Sequence, residues 1–560
     1  MKKKHTLSGR FLPFLPFLLA GILFASPLLL LSVIKLTQMN LHSAAVALYH
    51  ALVTLLLFSL LPALFPIKLR NYLFLSAPLL FFTPMLVYGV LFFHKMPTRA
   101  LILVLLESTS NERVEFLNGM WLLKSIVILL PALIILVNWR FTPQKLYITG
   151  YRIHFLIGFF SLILAGSAYE LNKRSSFERI VQHSLYACFR DTPVGIARRS
   201  AKALKTYRAQ TRKVSGETED YSVLADSSVQ EVPTLFVLVI GESSRYKNWG
   251  LNGYERQTSP QLQSYPALIS FSKVISPSFN TRESVPILLT GRTDSCQQSL
   301  MSFYAKKEYE TFWLGNQQIK AGPVDLLAQQ ADVRKQTAMG KYTPYDGELL
   351  EPLNKVISSN KSSGMIVLHT MGSHYPFQNR YPEEFEQFKP ATKKNRHIPL
   401  KQKHRETILN NYDNSILYTD FFLSELISSL KQTERPAVLL YVSDHGENLF
   451  EDASIGFGRG LAKNSPELYH VPLFIWCSDS YCELFPEKYL ALQKNQSQPA
   501  STTAVFHTLL HMGGISGSQV DSTQSLASVF YEGKERKVIL KGRVHNYDSL
   551  FANKKLRGQP

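Results

Sequence analysis

The first third of the chain is dominated by long runs of apolar residues that contain few charges. Each of five runs reaches the roughly 20 residues needed to cross the hydrocarbon core of a bilayer. The runs cover residues 11–35, 44–66, 72–93, 118–137 and 153–171. A signal peptide matches the first run poorly, because the apolar core of a signal peptide has only about 7–15 residues. The pattern therefore predicts a multi-pass α-helical membrane domain with about five spans.

Beyond residue 230 the apolar runs become short and are bounded by polar residues, with helical patterns between them. Four such runs are LFVLVI (235–240), MIVLHT (365–370), AVLLYVSD (437–444) and VPLFIWCS (471–478). A short continuous apolar run is typical of a strand that is buried on both faces of a parallel sheet. Strands that alternate with helices indicate an α/β soluble domain with a mainly parallel sheet.

These patterns divide the chain into four predicted parts. They are a transmembrane domain at residues 1–172, an amphipathic, basic linker at 173–230, a soluble domain at 231–545 and a C-terminal tail at 546–560. The linker is charged and has sparse apolar periodicity, which is typical of helical segments that lie along a membrane surface.

The charge of the chain bears on its partners and its orientation. There are 61 lysines and arginines against 42 aspartates and glutamates, which gives a formal net charge of +19. Such an excess is typical of proteins that bind nucleic acid or an anionic membrane surface, and the predicted spans favour the membrane.

Basic residues in 1–10, 67–71 and 138–152 share one face if the helices alternate, and that face is cytoplasmic by the positive-inside rule. An odd number of spans then sends the soluble domain to the other side. The basic stretch 190–213 opposes this orientation, but long translocated regions largely escape the rule.

The four cysteines say little about the fold. Cys477 and Cys482 are close enough in CSDSYC for a small local disulfide loop, and two free buried thiols are an equal alternative. A zinc finger is disfavoured, because the chain has no CxxC pair.

Polar residues with metal-binding chemistry follow the predicted strands directly. Glu242 follows the first strand, His369 lies at the end of the second, and Asp444 and His445 end the third. Sites in open α/β sheets form beyond the carboxyl ends of the strands. Carboxylate and imidazole ligands suit a divalent ion such as zinc, with one coordination position left open.

Thr281 lies just ahead of a predicted helix start, in the stretch 276–292. A hydroxyl at the open metal position would lose its proton readily, and a helix N-terminus would stabilise the developing anion. We therefore expect a covalent phospho-threonine intermediate that an acceptor hydroxyl later attacks. Taken alone each feature has a simpler explanation, because a threonine near a helix start is usually an N-cap. His374 and His470 are equally well explained as ordinary surface or packing histidines.

Six stretches, taken in order, carry a resemblance to a known family. They are LFVLVIGESSRYKNWGLNGYERQTSPQL, the Thr281 segment ending in SVP, HTMGSHYPFQNRYP, NNYDNSILYTD, YVSDHGEN and HVPLFIW. This set resembles the phosphoethanolamine transferases, which are bacterial inner-membrane enzymes of the alkaline phosphatase–sulfatase superfamily. The resemblance covers residues 230–515 and extends to the five predicted spans in architecture.

The resemblance implies an alkaline phosphatase/sulfatase-like fold with zinc bound by four residues and Thr281 as the nucleophile. The implied ligands are Glu242, Thr281, Asp444 and His445. Manganese and magnesium are less favoured alternatives as the metal. The implied substrate-binding residues are His374, His470, Glu112, Ser108 and Lys320. The two histidines match residues that bind the transferred group or a second zinc, and Ser108 stands where threonine is expected.

The resemblance also implies the partners and the location. The donor is phosphatidylethanolamine, which leaves diacylglycerol behind, and the acceptor is lipid A, a core sugar of lipopolysaccharide or a periplasmic glucan. Members that act on lipid A tend to have more cysteines than four, which leaves the core sugars and glucans open. The protein is expected in the bacterial inner membrane, with the catalytic domain in the periplasm and no nucleic-acid partner.

Three alternatives share parts of this pattern. Sulfatases use a cysteine or serine nucleophile in a C/S-x-P-x-R context, which residues 281–286 do not fit. A glycerol-phosphate transferase of the lipoteichoic acid synthase type would share the spans and the ligand set. A catalytically inactive membrane scaffold would have no physical need for all four ligands.

Overall fold

The chain is divided into two compact units, residues 1–103 with 119–205, and residues 104–118 with 206–560. The computed structural model describes residues 12–78, 80, 83, 86–87, 90–91, 96–99, 102, 106, 121–171, 193–212, 223–225, 232–293, 298–317, 322–338, 343–359, 361–396, 398–451, 457–459, 465–533, 535–540 and 542–555.

The N-terminal unit is helical. Its helices are α1 (Leu15–Thr37), α2 (Leu41–Leu64), α3 (Leu69–Leu75), α4 (Trp121–Phe141) and α5 (Arg152–Leu171), and α6 (Pro193–Arg212) runs across the boundary of the two units. Leucine-rich runs favour helix, and Asn40 caps α2 by accepting a hydrogen bond from the Ser43 N–H at 3.0 Å. The short connection between α1 and α2 lets these two helices pack against each other.

The surface of this unit is apolar. Leu18 and Ile22 of α1 and Leu164 of α5 are 51%, 53% and 72% exposed. Among the described residues, α1 and α2 are long and apolar enough to cross a membrane. Helices α4 and α5 form over the fourth and fifth predicted runs, and the third run is described only in part. Five spans therefore stay a prediction.

The C-terminal unit contains the strands. They are β1 (Val223–Ala225), β2 (Leu235–Gly241), β3 (Leu268–Ser270), β4 (Val274–Ile275), β5 (Glu310–Gly315), β6 (Val333–Gln336), β7 (Gly364–His369), β8 (Ala437–Ser443), β9 (Leu473–Cys477), β10 (Ala500–Ser501), β11 (Ile515–Gly517), β12 (Lys537–Leu540) and β13 (Arg543–Asn546). Seven of them form one sheet in the order β3-β9-β8-β2-β7-β5-β6. Strands β8, β2, β7, β5 and β6 are parallel, which confirms the mainly parallel sheet. The predicted strand at 471–478 forms as β9, but it runs antiparallel to both of its neighbours.

Helices cover both faces of this sheet. They are α7 (Thr281–Thr290), α8 (Leu300–Ala305), α9 (Pro323–Ala328), α10 (Leu350–Ser359), α11 (Arg405–Lys431), α12 (Asp479–Leu484), α13 (Pro486–Asn495), α14 (Ala504–Met512) and α15 (Tyr547–Lys555). Because successive strand residues point to opposite faces, Phe236 and Ile240 of β2 join an apolar cluster with α7 and α14. Val237 and Val239 join a second cluster with α11 on the other face.

The register of the central strands brings their carboxyl ends together. Gly241 pairs with Ser443 of β8, and Ile240 pairs with His369 of β7. A side chain at Gly241 would lie 2.5 Å from the Tyr441 hydroxyl, so only glycine fits at the end of β2. The residues that follow β2 and β8 therefore leave the sheet side by side.

Two further features of the C-terminal unit concern the sequence-based predictions. Cys477 and Cys482 are free thiols. Residues of the predicted tail form α15, and its Tyr547 and Phe551 pack on Tyr469 in a small buried cluster.

Candidate active site

Two carboxylates and an imidazole converge at the carboxyl ends of β2 and β8. Glu242 is 1% exposed, and Asp444 and His445 are fully buried. His445 Nε2 lies 3.2 Å from Glu242 Oε1 and 3.3 Å from Asp444 Oδ2. One ligand atom from each of the three residues lies within 4.8 Å of the others. The structure thus brings together the three predicted ligands that are not hydroxyls.

The hydrogen bonds of His445 show which atom faces the carboxylates. Its Nδ1 lies 2.8 Å from the Gly446 carbonyl oxygen, and a carbonyl only accepts, so Nδ1 carries the proton. Burial lowers the pKa of His445 and favours the neutral ring, which turns the Nε2 lone pair towards Glu242 and Asp444. Asp444 Oδ2 is buried, and among the described residues it has no hydrogen-bond partner. Three lone pairs that converge in this way fit a divalent cation such as zinc.

Neighbouring groups fix both carboxylates in place. Asp444 Oδ1 accepts from the backbone N–H of Ser243 at 3.1 Å and of His445 at 2.7 Å. Glu242 Oε1 accepts from Ser243 Oγ at 2.7 Å, and Glu242 Oε2 accepts from Gln317 Nε2 at 3.2 Å. Such supporting hydrogen bonds hold metal ligands in one orientation.

The two carboxylates differ in their proton affinity. Burial and then the charge of Glu242 raise the pKa of Asp444 well above its usual value. Burial also opposes ionisation of Glu242, but the interaction with His445 and the charge of Arg459 outweigh burial and hold the pKa of Glu242 well below its usual value. The two carboxylates therefore favour the binding of a cation at this site.

The Thr281 hydroxyl points into the same cluster. Thr281 is the first residue of α7, and the N-cap is Asn280, whose side chain accepts from the Glu283 N–H at 3.0 Å. Capping, the usual task of a threonine at a helix start, is thus carried out by its neighbour. Thr281 Oγ1 donates to Glu242 Oε2 at 3.0 Å and lies 3.5 Å from His445 Nε2. The hydroxyl is left at the positive end of a ten-residue helix.

His374 lies on a turn that packs against Glu242. Ser373 N donates to the Glu242 carbonyl oxygen at 2.9 Å. Gly372 has a φ of +45°, and a side chain there would lie 2.8 Å from the Glu242 backbone nitrogen. The turn therefore needs glycine, and it places His374 within electrostatic reach of the Glu242 carboxylate.

The other two histidines near the sheet edge have different surroundings. His470 Nε2 lies 2.9 Å from the Ser272 carbonyl oxygen, and its ring stacks on Tyr246 at 4.2 Å between centroids. His369 is buried edge-on to Trp313 at 5.7 Å, and within the described structure neither ring nitrogen has a hydrogen-bond partner. Burial lowers the pKa of His369 to about 4, so its ring is neutral at physiological pH. Ser108, Glu112 and Lys320 lie outside the described residues.

Two residues at the site escaped the sequence-based predictions. Gln317 binds Glu242 and follows β5, whose short apolar run FWLG ahead of polar amides could have indicated a strand end. Arg459 contacts His445 and lies 3.6 Å from both Glu242 and Glu447. Nothing in the glycine-rich stretch around Arg459 predicts this contact, because glycine has no preferred structure.

Comparisons with known proteins agree with the fold and with the sequence motifs. A family profile described as Sulfatase matches residues 234–515. The chain is 27% identical to the phosphoethanolamine transferase EptC of Escherichia coli (strain K12), over 81% of this chain and 82% of that protein.

Two solved structures are also similar. The C-terminal periplasmic domain of EptC from Escherichia coli, solved in complex with Zn, is 25% identical with a TM-score of 0.54, and covers 61% of this chain and 100% of that one. The integral membrane phosphoethanolamine transferase EptA from Neisseria meningitidis shares the fold with a TM-score of 0.70 at 20% identity, over 92% of this chain and 98% of that one. The resemblance to phosphoethanolamine transferases is thus confirmed, and the chain belongs to the sulfatase family.

Proposed function

We propose that this protein is a metal-dependent phosphoethanolamine transferase that uses Thr281 as its nucleophile. The observation that carries the proposal is the Thr281 hydroxyl at the start of α7, 3.0 Å from Glu242 and beside Asp444 and His445. The similarity to EptC over four fifths of both chains supports the same chemistry. It does not favour a glycerol-phosphate transferase or an inactive scaffold.

The ligands of the metal would be Glu242, Asp444 and His445, with the Thr281 hydroxyl facing the remaining position. We favour zinc over manganese or magnesium because one ligand is an imidazole nitrogen and because the EptC domain was solved with Zn. A bound zinc ion would lower the pKa of the hydroxyl and neutralise charge on the phosphoryl group.

In the first half-reaction, Thr281 Oγ1 attacks the phosphorus of phosphatidylethanolamine. Its proton leaves along the hydrogen bond to Glu242 Oε2. A bond forms between Oγ1 and phosphorus, the bond from phosphorus to the glycerol oxygen breaks, and diacylglycerol leaves after gaining a proton. The N–H groups at the start of α7 stabilise the negative charge that develops on the phosphoryl oxygens.

In the second half-reaction, a hydroxyl of the acceptor attacks the phosphorus of the phospho-threonine. A bond forms between the acceptor oxygen and phosphorus, the bond from phosphorus to Thr281 Oγ1 breaks, the acceptor hydroxyl gives up its proton and Oγ1 regains one. The acceptor class is an envelope glycolipid or glycan, with lipid A, the core sugars of lipopolysaccharide and periplasmic glucans as the members to compare. His374, next to Glu242, would contact the transferred group, and the same task is proposed for His470, Ser108, Glu112 and Lys320.

The proposal includes a location. We place the N-terminal helices in the bacterial inner membrane as five spans and the C-terminal unit in the periplasm. Support comes from the basic loops and from the exposed apolar side chains of the helices. Lipids and glycolipids are therefore the partners.

The experiment is transfer of labelled ethanolamine from phosphatidylethanolamine in liposomes that contain the full-length protein. Thr281→Ala should abolish transfer and the covalent adduct on the protein, while folding and membrane insertion stay normal. Thr281→Ser, which keeps a hydroxyl, should retain part of the activity. Full transfer by the alanine variant would reject the nucleophile.

The acceptor is identified in the same system by mass spectrometry of lipid A, core sugars and glucans, with and without the protein. A wild-type protein that modifies none of the three, although it is folded and carries zinc, would reject the proposed function.

A further inference from the structure

A basic side chain lies inside the acidic site described above. Arg459 is on a short described segment that is tied to the strand-end loop, because Phe457 forms a β-bridge with Leu449 and Gly458 N donates to the Asn448 carbonyl oxygen at 3.0 Å. The Arg459 side chain is only 13% exposed. Its position is therefore set by the same loop that carries Asp444 and His445.

The guanidinium of Arg459 reaches three members of the site. Nη1 contacts His445 Nε2, Nη2 lies 3.6 Å from Glu242 Oε1, and Nε lies 3.6 Å from Glu447 Oε2. Thr281 Oγ1 lies 3.5 Å from the same His445 Nε2. The guanidinium and the nucleophile therefore both lie next to His445 Nε2.

Binding of a cation changes what the guanidinium can contact. His445 Nε2 and the Glu242 carboxylate would bind the ion. The Arg459 guanidinium has no lone pair to offer a metal and its charge repels a cation. The contacts of Arg459 with His445 and Glu242 are therefore incompatible with a bound metal. The contact with Glu447 does not involve a ligand and can persist. Glu447 is buried and would hold the guanidinium near Thr281.

The anion that arrives at this place during the reaction is a phosphoryl group. A guanidinium presents two parallel N–H donors that match two oxygens of a phosphate, and this pairing is stronger and more directional than that of lysine. Positive charge on the non-bridging oxygens of a transferring phosphoryl group lowers the barrier to transfer.

We propose that Arg459 binds the non-bridging phosphate oxygens of the group that Thr281 receives, while Glu447 holds the guanidinium in position. This inference rests on the proposed function, since it uses Thr281 as the acceptor of the group. It makes Arg459 a catalytic residue that contacts substrate and not a ligand of the metal.

The test compares Arg459→Ala, Arg459→Gln and Arg459→Lys in the full-length protein in detergent. Arg543→Ala is the matched control, because Arg543 is an exposed arginine on β13 of the same unit. Three quantities are measured: bound zinc, binding of inorganic phosphate to the zinc-loaded protein by calorimetry, and the kcat and KM of ethanolamine phosphate transfer. Thermal melting reports the folding of each variant.

We expect the alanine and glutamine variants to bind zinc as the wild type does. Their affinity for inorganic phosphate should fall by at least about tenfold, and kcat should fall by about 10²–10³-fold, as for other groups that stabilise transition-state charge. The lysine variant should recover part of both losses because it keeps the charge without the paired donors. The control should match the wild type in all three measurements.

Three results would overturn the inference. One is wild-type phosphate affinity and transfer in Arg459→Ala. Another is loss of zinc from that variant, which would make Arg459 a structural part of the metal site. The third is equal activity of the lysine and alanine variants. If the alanine variant does not fold, the glutamine and lysine variants decide by the same criteria. A wild-type protein that transfers nothing, yet binds phosphate in an Arg459-dependent way, would reject the proposed function and keep the phosphate contact.

Discussion

The two units of this chain place their apolar side chains in opposite positions. In the C-terminal unit every residue of β2 is buried, whereas in the N-terminal unit Ile22 and Leu164 expose more than half of their surface. Both segments are continuous apolar runs. They differ in length: a strand of seven residues is buried by helices on both of its faces, whereas a helix of 20 residues or more is long enough to cross a bilayer. The proposed location in a membrane would give the exposed apolar side chains of these helices lipid as their solvent.

The buried polar groups differ between the units as well. In the N-terminal unit two of them are neutral hydroxyls that bond to helix backbone: Ser32 Oγ donates to the Ala44 carbonyl oxygen at 2.9 Å, and Thr54 Oγ1 donates to the His50 carbonyl oxygen at 2.7 Å. At the strand ends of the C-terminal unit, the buried groups include the carboxylates of Glu242 and Asp444, and within the described part of the chain Asp444 Oδ2 has no hydrogen-bond partner. A buried charge is costly unless it is paired, so its presence marks the place where a cation and chemistry are expected.

The largest effect is expected when the unpaired buried carboxylate is removed. Asp444→Asn keeps the shape of the side chain but loses its charge, so bound zinc should drop and transfer should fall by at least about 10²-fold, the scale of a lost electrostatic group at an active site. Zinc analysis and the liposome assay measure both. The matched control is Ser32→Ala, a buried polar group of the other unit. It should cost about 1 kcal/mol of stability and leave zinc and transfer unchanged. Full zinc content in Asp444→Asn would contradict the view that the buried polar groups of the two units differ in their ability to bind a cation.

This contrast also shows which features the sequence could predict. Glu242 and Asp444 were predictable because an apolar run followed by a polar residue marks a strand end, and parallel strands end at one edge. The direction of β9 was not predictable, because the apolar run 471–478 has the same pattern in a parallel strand and in an antiparallel one. Whether Asn280 or Thr281 caps α7 depends on a shift of one residue in where the helix begins, and both residue types are common caps. The contact of Arg459 depends on how a loop folds back, which periodicity does not encode.

An intermediate effect is expected from a charge placed on the exposed apolar surface of each unit. Leu164 of α5 and Phe530 of the C-terminal unit are 72% and 71% exposed. If α5 is the fifth span, Leu164→Lys puts an ammonium near the middle of the bilayer and should cost about 3 kcal/mol of insertion free energy. Phe530→Lys meets water and should cost nothing measurable. Carbonate extraction and an insertion reporter compare the two. Equal insertion of both variants would mean that α5 does not cross the membrane.

The smallest effect concerns a buried carboxylate that lies away from the metal site. Asp420 of α11 is fully buried, and its two oxygens accept from the backbone N–H groups of Gln261 and Leu262, each at 2.9 Å. Burial raises the pKa of Asp420 to about 7. In an unfolded chain the pKa of aspartate is about 3.9, so ionisation is harder in the folded protein. The stability that this group contributes is therefore complete below pH ~4 and is lost as the pH rises through about 7.

Asp420→Asn resembles the protonated acid and cannot ionise, so it should remove this part of the pH dependence. Between pH 4 and pH 8 the wild type should lose on the order of 2 kcal/mol more stability than the variant. Thermal melting of the full-length protein in detergent across this range measures the difference. Asp479→Asn, at an exposed position of the same unit, serves as the control and should follow the wild type. If the stability of Asp420→Asn falls with rising pH as steeply as that of the wild type, this carboxylate ionises as easily in the folded protein as in water. Buried charge in the C-terminal unit would then carry no cost that a cation must offset.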